Sequence, residues 1–238
     1  MNDSLGDRMK ANFEDRTRYL LPRRTYTIIR LDGKAFHTLT RGCVKPFDDH
    51  ISGAMTAAAV AVVSEAQGAK LAYIQSDEIS IVLTDFDSIT TQAWFDGNVQ
   101  KIASVSAGIA SAAFSHAFGR TGIFDSRVFT IPDPVEVENY FIWRQKDAIR
   151  NSVQSCAQAI FSPGMLHGKN IANMLTMLAG EGHHWDAIAQ HYRNGWAITR
   201  QAREDAPVER WSWAPDWNVP IFTEQREYLA SRVSPRQS

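Results

Sequence analysis

Residues 71–83, LAYIQSDEISIVL, constrain this chain more than any other stretch. Two short apolar runs, rich in β-branched and aromatic residues, flank the polar break Ser76-Asp77-Glu78. Runs of that length and composition around a short polar break predict a β-hairpin with adjacent carboxylates at its turn. Such a turn lifts carboxylates off a rigid sheet to where a hard cation can meet them. A solvated turn that merely favours Asp is the other reading of the same residues.

A second apolar run lies upstream. Residues 26–32 read YTIIRLD and end on Asp32, with Gly33 next. The near-continuous apolar character of residues 25–31 predicts a central strand covered on both faces. Two strands ending in carboxylates, joined through a helix, would set Asp32 beside Asp77. Gly33 lets the backbone approach a ligand, so its carbonyl is a candidate metal ligand; a plain turn glycine fits equally. Phe36 is read either as a base-stacking ring or as core. His37 has no zinc-spaced partner.

The connecting helix spans about residues 49–67, with Asp48 or Asp49 as its cap and Gly68 at its end. Met55, Ala59, Val62 and Val63 fall on one helical face, which marks core. After the hairpin, residues 89–118 read as a long helix that Gly97 can split. Its small residues suit close packing on the sheet, and Lys101 stands out among them as a point charge for phosphate or a solvated edge lysine. Residues 124–132 read as a strand from which Arg127 offers planar, bidentate donors. The order β-α-β-β-α-β predicts an α+β fold with the split βαβ pattern of ferredoxin-like and palm domains, helices packed on an antiparallel sheet.

The ends are less constrained. Residues 1–22 are polar and predict a helix that runs to Pro22. Pro132 and Pro134 mark a hinge between a core of residues 1–134 and an extension of residues 135–238 packed on it. Residues 135–161 read as a long helix anchored by Tyr140, Trp143 and Ile149, with Arg144, Lys146 and Arg150 forming a basic face. Shorter helices are expected over 166–180 and 185–192, strands over 195–201 and 210–213, and a partly disordered basic tail over 226–238. His183, His184 and His191 lack a completing carboxylate or thiol and read as structural or solvated; Trp211, Trp213 and Trp217 read as packing.

Composition narrows the function. The 238 residues are 44% hydrophobic with a formal net charge of −1, unlike a general nucleic-acid binder, so any RNA contact must come from local basic patches or an assembled surface. Cys43 and Cys156 are the only cysteines, which excludes a disulfide framework and a thiolate zinc site. The opening segment lacks a signal-peptide pattern, and the longest apolar run, 54–63, is too short for a bilayer of roughly 30 Å. A soluble cytoplasmic protein is expected.

In order and spacing, RLDGKAFH (30–37), KPFD (45–48), SDEISIV (76–82), the helix around Lys101, FDSRV (124–128) and WRQKDAIRNS (143–152) resemble the signature of the tRNA-histidine guanylyltransferase family and its 3′-to-5′ polymerase relatives. The likeness covers about residues 25–155, and RLDG with SDE at this separation is specific. It implies a metal-dependent nucleotidyltransferase acting at an RNA 5′ end with two Mg²⁺ ions and with ATP and GTP or another NTP as substrates. Asp32, Gly33 and Asp77 would be the metal ligands, and Asp32, Asp77 and Glu78 the catalytic carboxylates, Glu78 as an assisting group. Arg30, Lys34, Phe36, His37, Lys45, Asp48, Ser76, Lys101 and Arg127 would meet the nucleotide, and Arg144, Lys146, Arg150 and Asn151 the tRNA. A homo-tetramer is implied.

The eukaryotic members carry a His-Ile-Asn-Asn run that aligns with Ile149-Arg150-Asn151-Ser152, of which only the first Asn is kept. The form resembles bacterial and archaeal-type relatives. Template-dependent 5′-end repair of tRNA is therefore the leading expectation. Addition of a single G to tRNA-histidine is the alternative. A palm-type nucleotide cyclase and a non-catalytic RNA- or nucleotide-binding module are the remaining rivals.

Overall fold

The computed structural model describes residues 4–202 and 211–234. Among them, six strands form one antiparallel sheet: β1 (Tyr26–Gly33), β2 (Ala69–Gln75), β3 (Glu78–Leu83), β4 (Phe124–Ile131), β5 (Trp196–Ala202) and β6 (Trp211–Asp216). Their order is β4-β1-β3-β2-β5-β6. The first four give the expected split βαβ core, and β1 and β3 lie at its centre. Burial follows from that place: Ile28, Ile29, Leu31, Ile79, Ile81 and Val82 are fully buried.

Two helical layers cover the sheet. Nine α-helices are described: α1 (Ser4–Met9), α2 (Phe36–Leu39), α3 (Asp49–Glu65), α4 (Val99–Phe118), α5 (Pro134–Ile160), α6 (Pro163–Leu166), α7 (Ile171–Gly180), α8 (Gln190–Asn194) and α9 (Glu227–Val233). The helices α3 and α4 pack on one face, where Met55, Ala58, Ala59, Val62, Ala110 and Phe114 meet Ile29, Leu31 and Ile81. The small side chains at that seam let the two helices approach closely, as the sequence implies. On the other face Val137, Phe141 and Ala148 of α5 join Leu229 and Val233 of α9 over Ile28, Tyr73 and Val82. The helices begin where a side chain can accept the free amides: Asp48, Asn98 and Asp133 cap α3, α4 and α5. Among the described residues no helix is long and apolar enough to cross a membrane.

Several boundaries differ from the sequence reading. The first helical stretch ends at Thr17 rather than Pro22, and none of its residues is buried. Residues 89–93 are not helical; a 3₁₀ turn over Trp94–Gly97, with Phe95, Asp96 and Gly97 at positive φ, separates them from α4. Residues 227–233 are not a disordered tail but α9, whose Leu229 and Val233 are 0% and 1% exposed. Sequence reasoning weighed the basic residues there and missed the apolar positions four apart. The strands β5 and β6 extend the sheet from β2, and position 210 of the expected second strand lies outside the described residues. Trp213 and Trp217 pack on the core, whereas Trp211 is exposed.

Candidate active site

The site begins with strand register. Asp32 lies opposite Glu78 of β3 and opposite Asp125 of β4. Gln75 and Glu78 pair, so the hairpin turn is Ser76-Asp77 and Glu78 already belongs to β3. The Gly33 amide donates to the Asp77 carbonyl at 3.0 Å, which ties the end of β1 to the turn. Sequence and pairing thus set Asp32 and Asp77 side by side, as expected. Ser76 takes φ 51°, a region that non-glycine residues rarely adopt, so the sheet must hold the turn in shape. Gly33 is obligatory for a local reason: a Cβ there would meet the Phe36 ring at 2.4 Å.

Electrostatics distinguish the carboxylates. Burial raises the Asp77 carboxyl above its usual value, and the charges of Asp32 and Glu78 add to the rise; its own amide and the Ser76 hydroxyl oppose it. A partly buried carboxylate beside two others is short of positive charge, which is the setting a cation relieves. Arg127 supplies some: its Nη2 lies 3.9 Å from Asp32 Oδ2, with both side chains partly exposed. Among the described residues no group of three or more His, Cys, Asp or Glu is gathered for a metal.

Glu78 does not join that pair. Its carboxylate is buried on the α5 side, 3.0 Å from Arg30 Nε and 2.8 Å from Arg144 Nε. Two expectations are corrected by it: Arg144 is 5% exposed and points inward, so it is no RNA contact, and Arg30 is committed to Glu78. A basic helical face read from sequence takes no account of a buried acid on the neighbouring strand.

A cavity of about 370 Å³ opens beside the turn, lined by Gln75, Ser76, Asp77, His37, Asn151 and Ser152 among others. The loop around cis-Pro46, helix α5 and helix α8 close its sides. Phe36 contributes to the wall, but its ring is core, packed on Phe114 and Phe124 with centroids 4.9 and 5.2 Å away. Asp48 faces the cavity while its carboxylate caps α3, accepting from the amides of Val44 at 2.8 Å and His50 at 2.9 Å. Those amide bonds, Val44 first, hold it below the usual carboxylate range.

Lys34, Lys45, Lys146 and Arg150 are exposed. Arg150 pairs with Asp147 at 2.8 Å. Lys101 is not brought to the carboxylates. It sits in the first turn of α4, ten residues before Ser111, whose hydroxyl meets the Phe124 amide at the Asp32 end. Ten residues of helix span roughly 15 Å.

Sequence reading missed Tyr192 and Trp196 and took His191 as structural or solvated; all three line the cavity. Tyr192 stacks on Phe47 with centroids 4.5 Å apart, and its hydroxyl donates to Asp49. Burial, with the Asp49 bond second, pushes its phenol up to about 12. Burial likewise lowers the His191 imidazole. No local signal marks these residues; only the docking of α8 beside the 45–48 loop does.

Comparison with known proteins agrees with this geometry. The profile of Thg1, tRNAHis guanylyltransferase, matches residues 6–132. A bacterial tRNA(His) guanylyltransferase (Thg1)-like protein solved with ATP superimposes with a TM-score of 0.90 at 39% identity, covering 98% of this chain and 100% of that one. A structure of such a bacterial protein with GTP gives 0.87 at 40% identity, covering 97% and 99%. The tRNA(His) guanylyltransferase of Debaryomyces hansenii is 28% identical over 185 residues, 70% of this chain and 68% of that protein. The chain belongs to the tRNAHis guanylyltransferase family and is a nucleotidyltransferase of the guanylyltransferase-like kind.

Proposed function

We propose that this chain adds nucleotides to the 5′ end of tRNA in the 3′-to-5′ direction, with the opposite strand as template. The observation that carries the reading is the pair Asp32 and Asp77, joined through the Gly33–Asp77 backbone bond, with Asp77 lining the cavity beside the turn. Asp32, Asp77 and the Gly33 carbonyl would hold Mg²⁺. When bound, the ions would activate the attacking 3′-hydroxyl and steady the leaving group.

The chain's own residues supply the rest. Arg127 stands beside Asp32 with its guanidinium exposed and would take phosphate oxygens. Lys34 and Lys45 are exposed cations on the segments that border the site and would neutralise a triphosphate. The aromatic and polar walls of the cavity would hold a nucleotide; the bacterial relatives were solved with ATP and with GTP. Exposed Lys146 and Arg150 on α5 would meet RNA phosphates, and Asn151 faces the cavity. The chain would act as a homo-tetramer; the exposed side chains of Leu5, Met9 and Phe13, spaced four apart on the first helical stretch, would be buried in such an assembly.

Template dependence follows from what residues 149–152 offer. Arg150 is charged and exposed, suited to phosphate, and Ser152 is buried and accepts from the Trp185 indole at 3.0 Å. Phosphate contacts position RNA of any sequence, whereas discrimination needs hydrogen bonds to base edges. Choice of nucleotide would then fall to pairing with the opposite strand. The test is addition to a set of 5′-truncated tRNAs in which the opposite base is varied. The added nucleotide is expected to follow that base across several tRNAs. G alone, on tRNA-histidine alone, whatever the opposite base, would replace repair with the guanylyltransferase reading. Cyclic product from NTP without RNA would replace both.

A further inference from the structure

The buried charges behind the turn are used by none of the chemistry above. Glu78 follows Asp77 directly and lies opposite Asp32 in the ladder. Like charges directly opposite one another repel, and Asp77 already feels both neighbours. Two guanidiniums converge on Glu78 to offset this. Arg30, two residues before Asp32 on the same face of β1, reaches Oε2 at 3.0 Å; Arg144 of α5 reaches Oε1 at 2.8 Å. The Glu78 and Arg144 side chains are 8% and 5% exposed. Arg144 is itself anchored: its Nη2 donates to Asp147 at 2.8 Å, and its guanidinium lies 4.1 Å from the Trp143 ring. Ser80, on the same face of β3, shares a hydrogen bond with Tyr140 of α5 at 2.8 Å. The first residue of β3 is thus fastened to β1 and to α5, immediately after a turn whose Ser76 is strained.

We propose that Glu78 and Arg144 are positioning residues: their buried ion pair locks the hairpin so that Asp77 stays in register with Asp32. Neither touches substrate. Removing one partner strips a buried charge of part of its compensation, leaving Glu78 with Arg30 alone or Arg144 with Asp147 alone, and the relaxation would move the turn or α5. Carboxylates misplaced by a fraction of an ångström lose rate more than affinity.

The test compares Glu78→Gln, Arg144→Met and the double variant, with Arg144→Lys as a milder change should Arg144→Met fail to fold. Two measurements are made on each folded protein: steady-state nucleotide addition, and amide exchange at Gly33 and across residues 75–80. Arg144→Met is expected to lower kcat about 10- to 100-fold with nucleotide KM nearly unchanged, and to speed exchange at the Gly33 amide. Arg144→Lys should fall between it and the wild type in both measurements. The double variant should be no worse than Glu78→Gln alone, because the residues act as a unit. The assignment is overturned if Arg144→Met (or Arg144→Lys in its place) keeps kcat while Glu78→Gln loses it, which would give Glu78 a direct role. Unaltered exchange at the turn in these variants overturns it equally. The kinetic arm rests on the nucleotide-transfer reading and the exchange arm does not. A wild-type chain that adds no nucleotide therefore overturns transfer and leaves exchange to decide the positioning role.

Discussion

Asp32 and Asp77 are joined across strand ends through the Gly33–Asp77 backbone bond, and Asp77 lines the cavity. In the proposed role of shared cation ligands, neither could substitute for the other. Asp32→Ala and Asp77→Ala are each expected to abolish nucleotide addition while leaving the circular dichroism and melting behaviour near wild type. Near-normal turnover at saturating Mg²⁺ in either variant would refute the assignment. The two candidate phosphate cations separate by place. Arg127 lies within 4 Å of Asp32, at 3.9 Å, whereas Lys101 lies two or three helical turns away along α4. A charge-assisted contact is worth about 1.5–3 kcal/mol, so Arg127→Ala should raise nucleotide KM by about tenfold or more. Lys101→Ala should do clearly less. Equal effects of the two, measured by initial rates over a nucleotide titration, would place the triphosphate along α4 instead.

At the scale of elements, the segment 45–48 and α3 form a unit through Asp48. Its carboxylate accepts amides from both sides, Val44 before it and His50 after it, so it fixes the loop that borders the cavity and starts the helix. Asp48→Ala should cost about 1 kcal/mol of stability at neutral pH. The pH dependence has a definite sign. The folded carboxyl titrates below its unfolded value, so its contribution is complete above about 4, the unfolded value, and is lost as pH falls through the folded one. Urea titrations should show the gap between wild type and Asp48→Ala at pH 7 closing at strongly acid pH. A gap independent of pH would mean that the ionised cap is not the source.

At the scale of the whole molecule, the C-terminal residues complete the α5 face of the sheet. Phe222 meets Tyr73 of β2 with ring centroids 5.5 Å apart, and its amide donates to Gln145 of α5 at 2.7 Å. Leu229 and Val233 seal the same cluster. Leu229→Ala removes a fully buried side chain and should cost about 2–5 kcal/mol, read from the urea midpoint. A change below about 0.5 kcal/mol, the scale of surface substitutions, would mean that α9 is not docked.

What could be read without the fold was whatever local chemistry dictates. The apolar runs of β1 and around the turn, the cap at Asp48, and the apolar spacing of α3 act within a few residues, and they fixed the β-α-β-β-α-β order. That order alone brings Asp32 to Asp77, because antiparallel neighbours in a split βαβ sheet leave both turns at one edge. The sequence therefore determined the core and its carboxylate pair. Whether a charged side chain faces solvent or another charge was decided only by tertiary structure. Arg144 carries the same helical signal as Lys146 and Arg150, yet it turns inward because Glu78, from another strand, waits beneath α5. Tyr192 and His191 reach the cavity only because α8 docks beside the 45–48 loop. Glu78 and Arg144 come together from distant parts of the chain, and no local window contains both partners.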